Sequence, residues 1–77
     1  MNVHTTLVDL LRELGFDPAR LQDGVRLRQD LNVDSTELVE IAVAIERRLR
    51  VSIDAGTFQA VATVGELFQF VEAAPAR

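Results

Sequence analysis

The run Asp34-Ser35-Thr36-Glu37-Leu38-Val39-Glu40-Ile41-Ala42-Val43-Ala44-Ile45-Glu46-Arg47-Arg48-Leu49-Arg50 is the longest clean helical pattern in the chain. Leu38, Ile41, Ala42, Ile45 and Leu49 fall on one face of an α-helix, and no Gly or Pro breaks the segment. Its start is equally marked. Asp34 is a favoured N-cap and Glu37 follows three residues later, a capping-box-like pair whose carboxylates can accept from backbone N–H groups that a helix start leaves unpaired. Ser35 then sits on the first turn, at the exposed end of a rigid element and beside the positive pole of the helix dipole, where a phosphate is electrostatically favoured. A different face carries Val39 and Val43 with Glu40, Glu46 and Arg47. Because residues four apart stack along a helix, that face lies below Ser35 and is the candidate docking surface.

Toward the N-terminus, Val3, Leu7, Leu10, Leu11 and Leu14 recur at helical spacing with Asp9, Arg12 and Glu13 between them, which predicts an amphipathic helix over 3–14. Gly15 supplies a left-handed residue to end it, and Phe16 can pack back on Leu11 as in a Schellman motif. Residues 15–34 then show no sustained period. Within them Asp17-Pro18 favours a single turn through Ala19 to Leu21. Leu21, Leu27, Leu31 and Val33 should tether the connection, while Arg26, Arg28, Gln29 and Asp30 read as solvated surface.

Toward the C-terminus, Val51, Ser52 and Ile53 read as an extended link, and Asp54 caps a brief turn through Ala55 to Ala60, anchored by Phe58 and Val61. Thr63-Val64-Gly65-Glu66 matches a capping box ahead of Val64, Leu67, Phe68 and Val71 at helix spacing, so a last helix is expected to about Ala73. Pro75 ends it, and the final residues should fray. The expected fold is all-α: one domain spanning 1–77, a small bundle of three main helices and one short helix.

Composition narrows what such a bundle can do. A chain of 77 residues supports one small core, with roughly 60% of the unfolded surface buried at that size. Cysteine is absent and His4 is the single histidine, so there is no disulfide framework, no thiolate metal site and no metal expected. There is no signal-peptide pattern and no apolar run of the ~20 residues that span a bilayer, which leaves a cytoplasmic location and no membrane partner as the expectation. A net charge of −4 disfavours nucleic acid. Catalysis by Ser35 would need a base, yet His4 lies near the N-terminus and no Lys is present. The chain therefore reads as a non-enzyme. Asp34 and Glu37 are better explained as helix-start residues, and Glu40 as a solvated face, than as acid/base partners. Phe58, Phe68 and Phe70 read as core or rim packing.

Asp30-Leu31, then Asp34, Ser35, Val39 and Glu40, then Thr63-Val64-Gly65 together resemble the ordered signatures of acyl carrier proteins, over about Val3 to Ala73 and without a gap. The resemblance implies that a phosphopantetheinyl transferase moves 4′-phosphopantetheine from coenzyme A onto Ser35, with Asp34 part of the transferase recognition signal. The thiol of that arm would hold an acyl or aminoacyl cargo as a thioester. Implied partners are acyl- or aminoacyl-loading enzymes, acyltransferases or ketosynthases, met by a monomer. Glu37, Glu40 and Glu46 would supply charge to the docking face, with Thr36, Val39 and Val43 as its less polar centre and Arg47 at its edge. By analogy, long cargo could enter the bundle core.

The chain also departs from that family. Thr36 stands where Leu usually follows the serine, and Arg47, Arg48 and Arg50 occupy a region that is acidic in many fatty-acid carriers. Both favour a discrete carrier for polyketide or other specialised assembly over a type II fatty-acid synthesis carrier. The arginines also suit a helix C-terminus on dipole grounds alone. Asn32-Val33, in place of the double glycine typical of peptidyl carriers, favours the acyl branch. A rival from another class is a helical interaction module that is never modified.

Overall fold

A computed structural model describes residues 2–77. Among these residues five α-helices follow in order: α1 (Val3–Glu13), α2 (Leu27–Asp30), α3 (Ser35–Leu49), α4 (Ala55–Phe58) and α5 (Val64–Ala73), with a 3-10 turn over Pro18–Arg20 between α1 and α2. Extended pairing among the described residues is confined to two isolated bridges. The three long helices and the short α4 are those expected. α1 packs against α3 and α5, and α4 packs on α3. No described helix is long and apolar enough to cross a membrane.

The stripes read from the sequence meet in the middle. Leu7, Leu10 and Leu11 from α1, Leu38, Ile41, Ala42 and Ile45 from α3, and Val64, Leu67, Phe68 and Val71 from α5 are all buried. Leu27, Val33, Phe58 and Val61 close the ends of this core, and no described polar or charged residue is buried in it. Leu14 departs from the expected stripe. It is the C-cap of α1 and 44% exposed, because the chain turns away there. Gly15 adopts φ +103°, its N–H donates to the Arg12 carbonyl at 3.0 Å, and the Phe16 N–H donates to the Leu11 carbonyl at 3.0 Å. These are the two bonds of a Schellman motif. Helix α1 stops because those bonds satisfy its last carbonyls.

The connection from α1 to α3 is more ordered than its sequence indicates. Asp17 accepts from the Ala19 N–H at 2.9 Å, which sets the expected turn behind Pro18. The unexpected element is α2, four residues long and therefore without a readable period. No side chain caps it from Arg26. Instead the Asp30 carboxylate reaches back and accepts from the Arg26 N–H at 2.8 Å and from the Arg26 guanidinium at 3.4 Å. The backbone bond, followed by the guanidinium bonds, holds the Asp30 carboxyl below its ordinary pKa. Asn32 then takes φ 57°, a left-handed conformation that asparagine tolerates better than most residues, and returns the chain to Asp34.

This connection is hydrogen-bonded to the start of α5. The Leu27 N–H donates to the Ala62 carbonyl at 2.9 Å, the Val64 N–H to Val25 at 2.9 Å, and the Gly65 N–H to Asp23 at 3.0 Å, around an antiparallel bridge between Arg26 and Thr63. Thr63 caps α5 as expected, accepting from the Glu66 N–H at 3.2 Å. Glu66 reaches back one residue further than a capping box requires, to the Ala62 N–H. The C-terminal residues, expected to fray, are hydrogen-bonded to the chain after α3. The Ser52 N–H donates to Pro75 at 2.8 Å and the Arg77 N–H to Arg50 at 3.0 Å, so the tail pairs with the link after α3.

Two predictions follow from these contacts. An alanine at Gly65 would place its Cβ 3.1 Å from the Asp23 carbonyl oxygen and 3.2 Å from the Asp23 Cβ. Helix propensity alone favours Gly→Ala by about 1 kcal/mol. Crowding a packed contact costs roughly 1–3 kcal/mol. Gly65→Ala should therefore lower the denaturation midpoint, and a raised midpoint would contradict the close approach. For Asp30 the folded-state pKa is depressed, so its contribution is complete above the unfolded value and is lost as pH falls through the folded value. Urea midpoints of wild type and Asp30→Asn should differ at neutral pH and converge on acidification below the ordinary aspartate range. A gap that persists unchanged in acid would remove the Asp30 cap from the account.

Candidate functional site

Ser35 is the first helical residue of α3 and is exposed. Asp34, in extended conformation, caps the helix by accepting from the Glu37 N–H at 2.8 Å. Among the described residues Glu37 returns no bond to the Asp34 N–H, so only half of the expected reciprocal pair forms. The cap leaves Ser35 exposed on the first turn, at the positive pole of the helix.

Two residues missed by sequence reasoning complete this end of the molecule. Arg28, expected to be solvated surface, reaches from α2 and donates from Nη1 to the Ser35 Oγ at 3.2 Å. Its Nη2 donates to the Gln59 Oε1 at 3.0 Å and to the Gln59 carbonyl at 3.4 Å. Gln59, at the end of α4, donates from Nε2 to the Ser35 carbonyl at 3.1 Å. A cation before the serine was visible in the sequence, but nothing in the spacing joined it to Ser35. Gln59 lies 24 residues from Ser35, with no motif of its own.

This geometry bears on the chemistry. Arginine cannot be deprotonated in a protein and has no acceptor atom, so the side chain bonded to the Ser35 hydroxyl is unable to take its proton. His4 packs its ring against Phe68, centroids 4.8 Å apart.

Thr36, Glu37, Val39, Glu40, Val43 and Arg47 are all exposed around and below Ser35. Val39 and Val43, 46% and 40% exposed, are large apolar side chains left to solvent on one helix face. Glu46 differs from its neighbours. It is half-buried, and its carboxylate accepts from the Ile53 N–H at 2.8 Å, which fastens the link that leads to α4. The three arginines also part company. Arg48 pairs with Glu13 of α1 through two bonds at 2.7 and 3.2 Å, and that hydrogen-bonded guanidinium pulls the Glu13 carboxyl below its ordinary pKa. Arg50 takes the left-handed cap position of α3, and Arg47 stays exposed. Phe58 packs edge-on against Phe70 with centroids 5.4 Å apart, while Phe68 is buried, so these aromatics are packing residues as expected. The apolar crevice between Leu11, Phe16, Leu27, Leu31, Ile41 and Leu67 encloses about 10 Å³, room for no more than a water molecule.

A phosphodiester-linked arm needs a reachable hydroxyl, positive potential and open space beside it. Ser35 is exposed, it stands on a helix N-terminus, and a guanidinium lies 3.2 Å from its hydroxyl. The residues present fit such a group.

Comparison with known proteins bears on the same region. Residues 4–71 match the family model described as phosphopantetheine attachment site. Among curated proteins, the chain is 31% identical over 67 residues to an acyl carrier protein of Sinorhizobium fredii, covering 87% of this chain and 86% of that one. It is 29% identical over 63 residues to an acyl carrier protein of a Sulfurovum species, covering 82% and 84%. An acyl carrier protein of Thermotoga maritima is 28% identical over 60 residues, covering 78% and 74%. With a helical bundle that ends in an exposed, capped serine, and with a family match over most of its length, the chain belongs to the phosphopantetheine-bearing acyl carrier protein family.

Proposed function

We propose that Ser35 is the attachment point of the 4′-phosphopantetheine arm and that the protein is a carrier rather than a catalyst. The observation that carries this reading is the Ser35 hydroxyl itself, exposed on the first turn of α3 and bonded to a cation instead of a base. In the transfer, the Ser35 Oγ would form its bond to the pantetheine-bearing phosphorus of coenzyme A as the phosphoanhydride bond breaks, with 3′,5′-ADP as leaving group and the serine proton passing to the transferase. Asp34 serves twice in this reading, holding the helix start rigid through its bond to the Glu37 N–H and presenting an acidic group beside the acceptor for the transferase. Once bound, the arm supplies a thiol that carries acyl or aminoacyl groups as thioesters.

The chain's remaining task is to be recognised and released. Thr36, Val39 and Val43 form a small, less polar strip, with Glu37, Glu40 and Arg47 around it, on the helix that presents Ser35. A small charged face suits transient contact, since electrostatic complementarity raises encounter rate more than it lengthens residence. Glu46, tied to the Ile53 N–H, contributes a fixed charge at the edge of that face. Partners in this reading are the phosphopantetheinyl transferase and the acyltransferases, loading enzymes or ketosynthases that handle cargo in the cytoplasm. Thr36 and Arg47 favour polyketide or other specialised assembly; fatty-acid synthesis is the alternative.

Incubation with coenzyme A and a promiscuous transferase should add one phosphopantetheine by intact mass to wild type and none to Ser35→Ala. No gain on wild type, or an equal gain on the variant, would sink the proposal and leave an unmodified interaction module. Glu40→Arg reverses an exposed charge and should slow transfer with a cognate partner several-fold while leaving the circular dichroism and unfolding midpoint near wild type. Unchanged transfer kinetics would take Glu40 out of the docking face.

A further inference from the structure

The bond between Arg28 and Ser35 asks for an explanation that a bare hydroxyl does not provide. A guanidinium is a planar fork of donors suited to the oxygens of phosphate, whereas a serine hydroxyl engages a single donor of that fork. Arg28 is also uncommitted by charge. The ion pairs among the described residues join Arg12 to Asp9, Arg26 to Asp30 and Arg48 to Glu13, and none includes Arg28. Its position is nevertheless defined. Gln59 accepts from Nη2 at 3.0 Å while donating to the Ser35 carbonyl at 3.1 Å, so α2, α3 and α4 close a ring of bonds around the guanidinium.

We infer that Arg28 is a positioning residue for the phosphodiester of the arm, with Gln59 holding its guanidinium in place. The inference rests on the reading of Ser35 as the attachment point. In the modified protein the phosphorus is bonded to the oxygen that Arg28 already touches, and it carries a full negative charge at neutral pH. The guanidinium then extends its donation from Oγ to the phosphate oxygens without leaving Gln59. The consequence is mechanical as well as electrostatic. The root of the arm is held on the α2–α4 side of Ser35, its charge is partly met by the carrier itself, and flexibility begins beyond the phosphate. A partner enzyme therefore meets an arm with a fixed origin.

The test compares wild type, Arg28→Gln and Arg28→Lys after loading with coenzyme A and a transferase, with complete loading checked by intact mass. The phosphorus-31 resonance of the loaded wild type should lie away from its position in the urea-unfolded protein. It should move toward that position and narrow in Arg28→Gln, with Arg28→Lys between them because it keeps the charge and loses the fork. Identical position and width in wild type and Arg28→Gln would overturn the inference. So would a purely structural outcome, in which Arg28→Gln lowers the unfolding midpoint of apo and loaded forms alike with no change in phosphorus signal. A failure of wild type to gain mass at all overturns the attachment reading, and this inference with it, and is distinguished by the mass measurement alone.

Discussion

One bond, from the Glu37 N–H to the Asp34 carboxylate at 2.8 Å, determines where α3 begins and therefore where Ser35 is presented. An N-cap of this kind contributes roughly 0.5–2 kcal/mol. Its structural effect is larger than that figure implies. With Asp34 fixed as the cap, Ser35 becomes the first helical residue, Leu38, Ile41, Ala42 and Ile45 turn into the core, and Val39 and Val43 are left facing solvent below the serine. A shift of one residue in the cap would leave the packed face of the helix where it is and move Ser35 off the first helical position. The same carboxylate that would signal to a transferase is thus the group that sets the geometry to be recognised.

The connection before Asp34 supports that arrangement from outside the helix. Its backbone is bonded to the start of α5 through Asp23, Val25 and Leu27, and the absence of a side chain at Gly65 allows the close approach. The Thr63-Val64-Gly65 signature has its physical meaning here: Thr63 caps α5, the Val64 N–H pairs with the connection, and Gly65 makes room for Asp23. Arg28 is placed by α2, and α2 is held by the Asp30 carboxylate, so the cation at Ser35 depends on a cap two residues beyond it in the same short helix.

Much of this was legible in the sequence because the signals were long or local. Period and caps located α1, α3 and α5, and Gly15 located the end of α1. What escaped was short or non-local. Helix α2 has four residues and is capped from its own C-terminal end, a pattern without a motif. The pairing of the C-terminal tail with Val51 and Ser52 joins segments with no shared periodicity. Arg28 and Gln59 were unreadable as site residues for the same reason, since only the fold brings them to Ser35. Arg48 and Glu46 show the reverse. Both looked like surface charge; Arg48, still exposed, ties α3 to α1, and the half-buried Glu46 fastens the link after α3.

The central claim is that the exposed, capped serine of α3 carries the arm. Trypsin cuts after Arg28 and Arg47, releasing a peptide from Gln29 to Arg47 that contains both Ser35 and Thr36. Fragmentation of that peptide, taken from protein isolated from its own cells, should place 4′-phosphopantetheine on Ser35 and leave Thr36 unmodified. A peptide that is unmodified throughout the isolated protein, or one that carries the arm on Thr36, would contradict the account.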